Sequence, residues 1–435
     1  MKSTALKHNW KKSKLGAYFQ IKHGYAFKGE FFANAGPYVL LTPGNFKAEG
    51  GITLKREKEK YYTGDFPKEF LLKRDDFLIV LTDLIQNAPI LGSPAFILED
   101  GKFLHNQRLG KVVNLNTKEM DILFLYYILN SKNVRDQIRG SATGSTVRHT
   151  APERIYAVDV EIPPLPTQRK IAAILSAYDD LIENNTRRIV ILEEMAQALY
   201  REWFVHFRFP GSEKKSMVES ALGMIPEGWE IKSFAEVAEF INGYAFKPED
   251  WGKVGKPIVK IAELKNGVAD KTPFHDGSIP SKYHIQSGDL LFSWSADLDV
   301  YVWSGGPALL NQHLFNVVPY EGFTKLFLFF SLKERMWDFR SKSQGTTMKH
   351  IKRAALEQVY FWVPAVETRL NFEEKVQPIL ANVQNLTEKN ATLRRTRDLL
   401  LPKLISGELD VEGLAIALGG DDDGVSVREE EGVMS

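Results

Sequence analysis

Apolar residues recur along two stretches of the chain in alternating steps of four and three. The first series runs Ile171, Leu175, Tyr178, Ile182, Asn185, Ile189, Leu192, Ala196, Leu199 and Trp203. The second runs Phe372, Val376, Ile379, Val383, Leu386, Asn390, Leu393, Arg397, Leu400 and Leu404. Heptad spacing of this kind keeps one stripe of an α-helix turned toward a partner helix, so both stretches are predicted as long helices, 166–207 and 365–405. At 1.5 Å per residue each seam extends about 50 Å. An asparagine stands at a seam position in each, where a polar residue fixes register at a cost in stability. The two seams are related by one constant displacement, under which Asn185 falls on Leu386 and Asn390 on Ile189, so the helices are related but distinct. They are expected to pair with each other, antiparallel. The plainer alternative is two bundle helices, each packed on its own domain.

Outside these stretches the pattern is mixed α/β. Residues 77–81 and 290–292 are short strand-like apolar runs, each preceded by an acidic turn residue, Asp76 and Asp289. Residues 121–131 and 325–335 read as shorter helices. The PPLP string at 163–166 breaks structure ahead of the first long helix, with Thr167 placed to cap it, and Pro364 does the same for the second. Pro402 and Gly407 mark the end of the second.

The chain also repeats itself. GYAFK occurs at 24–28 and again at 243–247, Trp10 matches Trp229, and Leu15 matches Phe234. NQRL at 106–109 answers NQHL at 311–314, each followed by a Val-Val pair, and GSTVRH at 144–149 answers GTTMKH at 345–350. Three blocks in the same order, with the distance between copies shrinking along the chain, establish an internal duplication with loop deletions.

Composition narrows the classes. The chain has 435 residues, 44% hydrophobic and 26% charged, which excludes a collagen-like, disulfide-scaffold or wholly disordered protein. With no cysteine there is no disulfide, thiol nucleophile or Cys-ligated metal. The opening MKSTALKHNWKKSK carries no apolar export segment, and no run approaches the roughly 18 apolar residues of a membrane span, so a soluble, cytoplasmic chain without a membrane partner is expected. The net charge is +1, but after residue 406 nine acidic residues face only Arg428; removing that −8 leaves +9 on the preceding chain. Such a balance permits phosphate binding without demanding it.

Catalytic signatures are missing. There is no G-x-x-x-x-G-K-[ST] loop, G-x-G-x-x-G fingerprint, H-E-x-x-H or G-x-S-x-G elbow, and the nine histidines show no metal-ligand spacing. An adenine methyltransferase loop would need Asn or Asp before Pro-Pro-aromatic, whereas Pro163-Pro164 lies between Ile162 and Leu165. No catalytic residue and no metal site is therefore assigned. Two similar modules on long helices suggest binding to something with two-fold pseudo-symmetry.

At this point the chain resembles a known family, the specificity subunit of type I DNA restriction-modification enzymes. The resemblance rests on the order module, helix, module, helix; on IPPLPTQRKIAAILSAYDDLIENNTRRI (162–189) and LEEMAQALYREWFVHF (192–207); on LGMIPEGW entering the second copy; and on TRDLLLPKLISGELDV (396–411). It covers the whole chain except the acidic end. Residues 365–369 depart from the Pro-rich, Gln-containing entry of the first helix.

The resemblance implies an α+β fold: two duplicated α/β target-recognition domains (1–165 and 226–364) separated by two long helices that form an antiparallel coiled coil with pseudo-two-fold symmetry. The linker is 208–225, and the acidic tail, 406–435, is expected to be disordered. Each module would read one half of a bipartite double-stranded DNA target while the helices set the spacing. The subunit would be non-catalytic and bind no cofactor. It would dock two modification (methyltransferase) subunits using S-adenosylmethionine to methylate adenine, and restriction subunits using ATP and magnesium for translocation and cleavage. A protein-interaction scaffold with duplicated modules is the alternative.

Candidate DNA contacts follow from residue chemistry. Ser145, Thr146, Arg148 and His149, with Thr346, Thr347, Lys349 and His350, combine glycine, hydroxyls and a cation suited to phosphate oxygens; the same strings equally suit structural turns. Asn106-Gln107 and Asn311-Gln312 recur identically and are assigned to scaffold, leaving Arg108 and His313 as readers of base edges. The turns after the strand runs differ between copies, as readers of different half-sites should: Thr82, Asp83, Gln86 and Asn87 in one, Trp294, Ser295 and Asp297 in the other. GYAFK is assigned to core and turn.

Overall fold

The computed structural model describes residues 9–54, 59–269, 271–343 and 350–416. The chain divides into two compact units, Met1–Thr186 with Glu388–Ser435, and Arg187–Thr387. Each holds one module and a share of both long helices.

The modules share a plan. In the first, a four-stranded antiparallel sheet has the order Gln20–His23, Leu109–Val113, Phe77–Val80, Pro94–Phe96; in the second the order is Ala238–Asn242, Leu314–Pro319, Leu290–Ser293, Asp299–Val302. The predicted apolar runs are thus the third strand of each sheet, buried along its whole length. A second four-stranded sheet follows in both and contains one parallel pair, Tyr38–Leu40 with Phe103–Leu104 and Lys256–Val259 with Ala308–Leu310. The strand opening each module pairs with the strand that leads into its long helix: Lys11–Lys14 with Asp159–Ile162, and Glu230–Ser233 with Tyr360–Val363. Start and end are tied, so each module closes before the chain enters a helix.

The shorter helices form at Ile122–Asn130 and Lys325–Glu334. Asp121 Oδ1 accepts the Phe124 amide at 2.9 Å, and Thr324 Oγ1 accepts that of Phe327 at 3.2 Å, so each start is fixed by a side-chain cap.

The long helices span Leu165–Phe204 and Val366–Ile405. The first begins two residues before Thr167, whose amide donates to Pro164 O, so the start is set by Pro164 and Thr167 lies inside the first turn. The second runs past Pro402, which is tolerated in the final turn. Within the first unit the pairing is antiparallel: Asn185 meets Asn390, Asp179 meets Arg397, and Ile171 and Leu175 share a core with Leu400 and Leu404. Within the second unit, Tyr200, Trp203 and Phe204 pack on Phe372, with ring centroids 4.9–5.9 Å apart. Every seam position is buried or half-buried, Leu192, Leu199, Val376, Ile379, Val383 and Leu393 included.

Two segments expected to be irregular are folded. Residues 208–225 include a hairpin of Met217–Ser220 with Gly223–Pro226, and Phe209 and Ile225 enter the core of the second unit beside Trp229. After the second helix Val411 is buried in the core of the first unit, and Lys170 Nζ donates to Glu412 O at 2.6 Å. Apolar Val411 within an acidic context supplied the anchor that charge counting hid. Residues 417–435, the remainder of the expected tail, lie outside the described residues.

Candidate nucleic-acid interface

The motifs common to both copies build a shared platform. Tyr25 donates its amide to His105 O at 2.8 Å, and its carbonyl accepts the Gln107 amide at 2.9 Å; Tyr244, Leu310 and Gln312 repeat the arrangement at the same two distances. GYAFK and Asn-Gln therefore interlock as one backbone ladder. A Cβ on Gly24 would lie 2.1 Å from Asn106 O, and one on Gly243 would lie 2.1 Å from Asn311 O, so only glycine permits this approach. Asn106 Oδ1 accepts the Arg108 amide at 3.0 Å and Asn311 Oδ1 accepts that of His313 at 3.3 Å, which spends both side chains on the turn that presents the next residue.

On this platform three segments converge in the first module, and the described residues of their counterparts meet in the second. In the first, Leu81 donates its amide to Arg108 O at 2.9 Å, and the short strand Thr82–Asp83 pairs with Arg148–His149. In the second, Trp294 donates its amide to His313 O at 3.4 Å and Ser295 bridges to His350. Turns that differ between copies thus lie beside loops that recur.

The individual side chains separate into two groups. Gln86, Asn87, Arg108, Ser145, Thr146 and His149 are exposed. Thr82, Asp83 and Ser295 are buried, and no base edge can reach them without unfolding the turn. Asp83 accepts the amides of Ile85 at 2.9 Å and Ile90 at 2.8 Å, and Thr82 Oγ1 shares a 3.0 Å hydrogen bond with His149 Nδ1. Arg148, expected on phosphate, turns its guanidinium onto the carbonyls of Arg139 at 2.9 Å and Ala142 at 3.3 Å, closing the end of the helix Lys132–Ser141. Trp294 is half-buried with Nε1 on Asn242 Oδ1 at 3.1 Å and its ring 5.8 Å from that of His313; Asp297 is paired with Lys265. These are the locally engaged positions. Thr346, Thr347 and Lys349 lie outside the described residues; His350 is half-buried.

Two features carry no signal in the sequence pattern. His105, buried beneath the first platform, shares a 3.0 Å hydrogen bond with Leu109 O, and burial with nearby Lys111, Lys22 and His23 lowers its pKa to about 4. The second is a polar tie between module and helices in the first unit. Tyr127 OH donates to Asp179 Oδ2 at 2.7 Å while Arg397 pairs with Oδ1 of the same carboxylate, and burial, with Asp179 alongside, raises the Tyr127 phenol above its ordinary range. The seam position of Arg397 is visible in the sequence, but its partner is not.

Among the described residues no group of three or more His, Asp or Glu could hold a metal ion, and no helix is long and apolar enough to cross a membrane.

Duplicated α/β modules, each closed on its own strands and seated on paired long helices, define a two-module recognition protein. The type I restriction modification DNA specificity domain matches residues 7–194 and again 226–395, and the chain belongs to that family. It is 28% identical over 308 residues to the type I restriction enzyme MjaIX specificity subunit of Methanocaldococcus jannaschii, covering 67% of this chain and 70% of that protein. It is 23% identical to the HindI specificity subunit of Haemophilus influenzae, covering 68% and 79%. The crystal structure of a type I restriction-modification S subunit from M. genitalium aligns over 93% of this chain and 97% of its own with a TM-score of 0.53 and 16% identity, a likeness of fold.

Proposed function

We propose that this specificity subunit reads a bipartite DNA duplex, one half-site per module, and carries out no chemistry itself. The observation that carries the reading is the convergence, in the first module, of one segment that differs between copies with two that recur, echoed in the second where Trp294 and Ser295 meet His313 and His350. Common segments suit the phosphate backbone, which is alike in both half-sites, and divergent ones suit base edges, which are not. In the first module Arg108 is the exposed candidate for guanine and Gln86 and Asn87 for adenine. In the second, Trp294, Asp297 and His313 would be the corresponding readers, with the Trp294 ring beside that of His313 in support. Ser145 and Thr146 offer hydroxyls to phosphate, and Thr346, Thr347 and Lys349 are assigned the same role by repetition.

The long helices would set the separation of the half-sites and, with their exposed faces, dock two modification subunits. Those partners would supply S-adenosylmethionine and methylate adenine after flipping it from the stack. Restriction subunits, using ATP and magnesium, would join the same assembly. A cytoplasmic setting follows from a genomic DNA target.

Selection of randomised duplexes by the complex of this chain with its modification subunits tests the reading. Two conserved blocks separated by unconserved bases are expected, and a single contiguous block would overturn it.

A further inference from the structure

One turn of the first module has its polarity inverted. Asp83 is 1% exposed, whereas the next two residues, Leu84 and Ile85, are 54% and 58% exposed. The turn is built to hold them there. The buried Asp83 carboxylate accepts the amides of Ile85 and Ile90, the Ala88 amide donates to Ile85 O at 2.8 Å, and Ala88 sits buried in the core with φ +46. Two large apolar side chains are thereby presented from a turn anchored at both ends.

Their surroundings indicate what covers them. The three converging segments, 82–87, 106–108 and 143–149, contain a single acidic residue, Asp83, and its charge is turned into the loop amides. Exposed Arg108, Gln86, Asn87 and His149 remain, a neutral-to-cationic rim suited to a polyanion. Leucine and isoleucine cannot hydrogen-bond to base edges, but apolar side chains of this size enter between base steps, unstack them and kink the duplex. The corresponding turn of the second module lacks such a pair: Ser295 and Leu298 are buried, Ala296 is small, and Asp297 is tied to Lys265.

We propose that Leu84 and Ile85 form a wedge that enters the half-site read by the first module and unstacks one base step there, so that the two halves of the target are distorted unequally. This rests on the DNA-reading function proposed above. Flexible pyrimidine–purine steps would accept the wedge at least cost, adding sequence preference at a position where no hydrogen bond is made.

The test uses the full chain with its modification subunits and target duplexes carrying 2-aminopurine at successive positions outside the methylated adenines. A several-fold rise in fluorescence at one step of the first half-site, and none in the second, is expected. The L84S/I85S variant, altered only at exposed positions, should lose that rise while melting as the parent does and still binding the duplex. An unchanged rise in the variant, or equal rises in both half-sites, overturns the wedge. Loss of modification-subunit binding by the variant, with the rise intact, overturns it in favour of a protein-docking patch. Absence of any duplex binding by the parent complex would instead defeat the DNA reading and the wedge with it.

Discussion

Asn185 Nδ2 donates to Asn390 Oδ1 at 3.0 Å across the buried seam of the first unit, and Asn390 Nδ2 in turn donates to Ile182 O and Thr186 Oγ1, each at 3.2 Å. Asn185→Leu leaves the Asn390 amide buried with fewer partners and should destabilise the chain by about 1–3 kcal/mol. The double change to leucine at both positions should recover most of that loss, because apolar groups then face each other. Denaturant unfolding of the four chains in this cycle measures the coupling. Additive effects would show that the two amides do not act as a pair. Since Leu386 and Ile189 occupy the equivalent places in the other unit, the polar pair belongs to the first unit alone, which suits a register device.

Gly24 and Gly243 are tested by alanine. A Cβ 2.1 Å from a main-chain oxygen forces the two interlocked motifs apart, and each substitution should cost about 3 kcal/mol or more. Gly29, where an added Cβ would meet nothing within 4 Å, serves as the control and should change stability by less than about 1 kcal/mol. Equal melting of G24A and G29A would contradict the packing account.

Arg148 and Arg108 should separate. Arg148→Ala removes donors from two helix-end carbonyls, so a loss of about 1–3 kcal/mol of stability is expected. Arg108→Ala should leave melting unchanged and weaken DNA binding by about 1–3 kcal/mol with relaxed preference at one base pair. Uniform weakening across sequences with a salt slope lower by about one would assign Arg108 to phosphate instead.

Acid should weaken the first module through His105. Its pKa is lowered from 6.5 to about 4 in the folded chain, so below pH 6.5 the unfolded chain takes up a proton that the folded one refuses. Stability is lost as pH falls from 6.5 toward 4 and the loss levels off below, reaching about 3 kcal/mol. His105→Leu, which installs the residue found at Leu310 in the second copy, should flatten that part of the curve. Urea midpoints of both chains between pH 7 and pH 4 decide it, and identical acid slopes would contradict the assignment.

Heptad spacing makes the long helices and their antiparallel pairing legible, because a seam is a one-dimensional pattern and both partners lie in one chain. Repetition exposes the platform for the same reason, since GYAFK and Asn-Gln recur together and interlock. Side-chain engagement is not legible. Arg148 and Asp83 have the chemistry of DNA contacts, yet one closes a helix end and the other organises a turn, outcomes set by contacts that spacing does not encode. Leu84 and Ile85 carry no signal of exposure, because apolar residues after a buried strand read as core. Val411 is masked by the acidic composition around it.

The central claim is that this chain directs methylation to a split DNA target. Co-expressing it with its modification subunit and mapping methylated adenines genome-wide, with and without this chain, tests that directly. Methylation at a motif of two separated halves, on opposite strands and lost when the chain is omitted, is the predicted result. A stable complex that yields no new methylation, or methylation that persists without this chain, would contradict it.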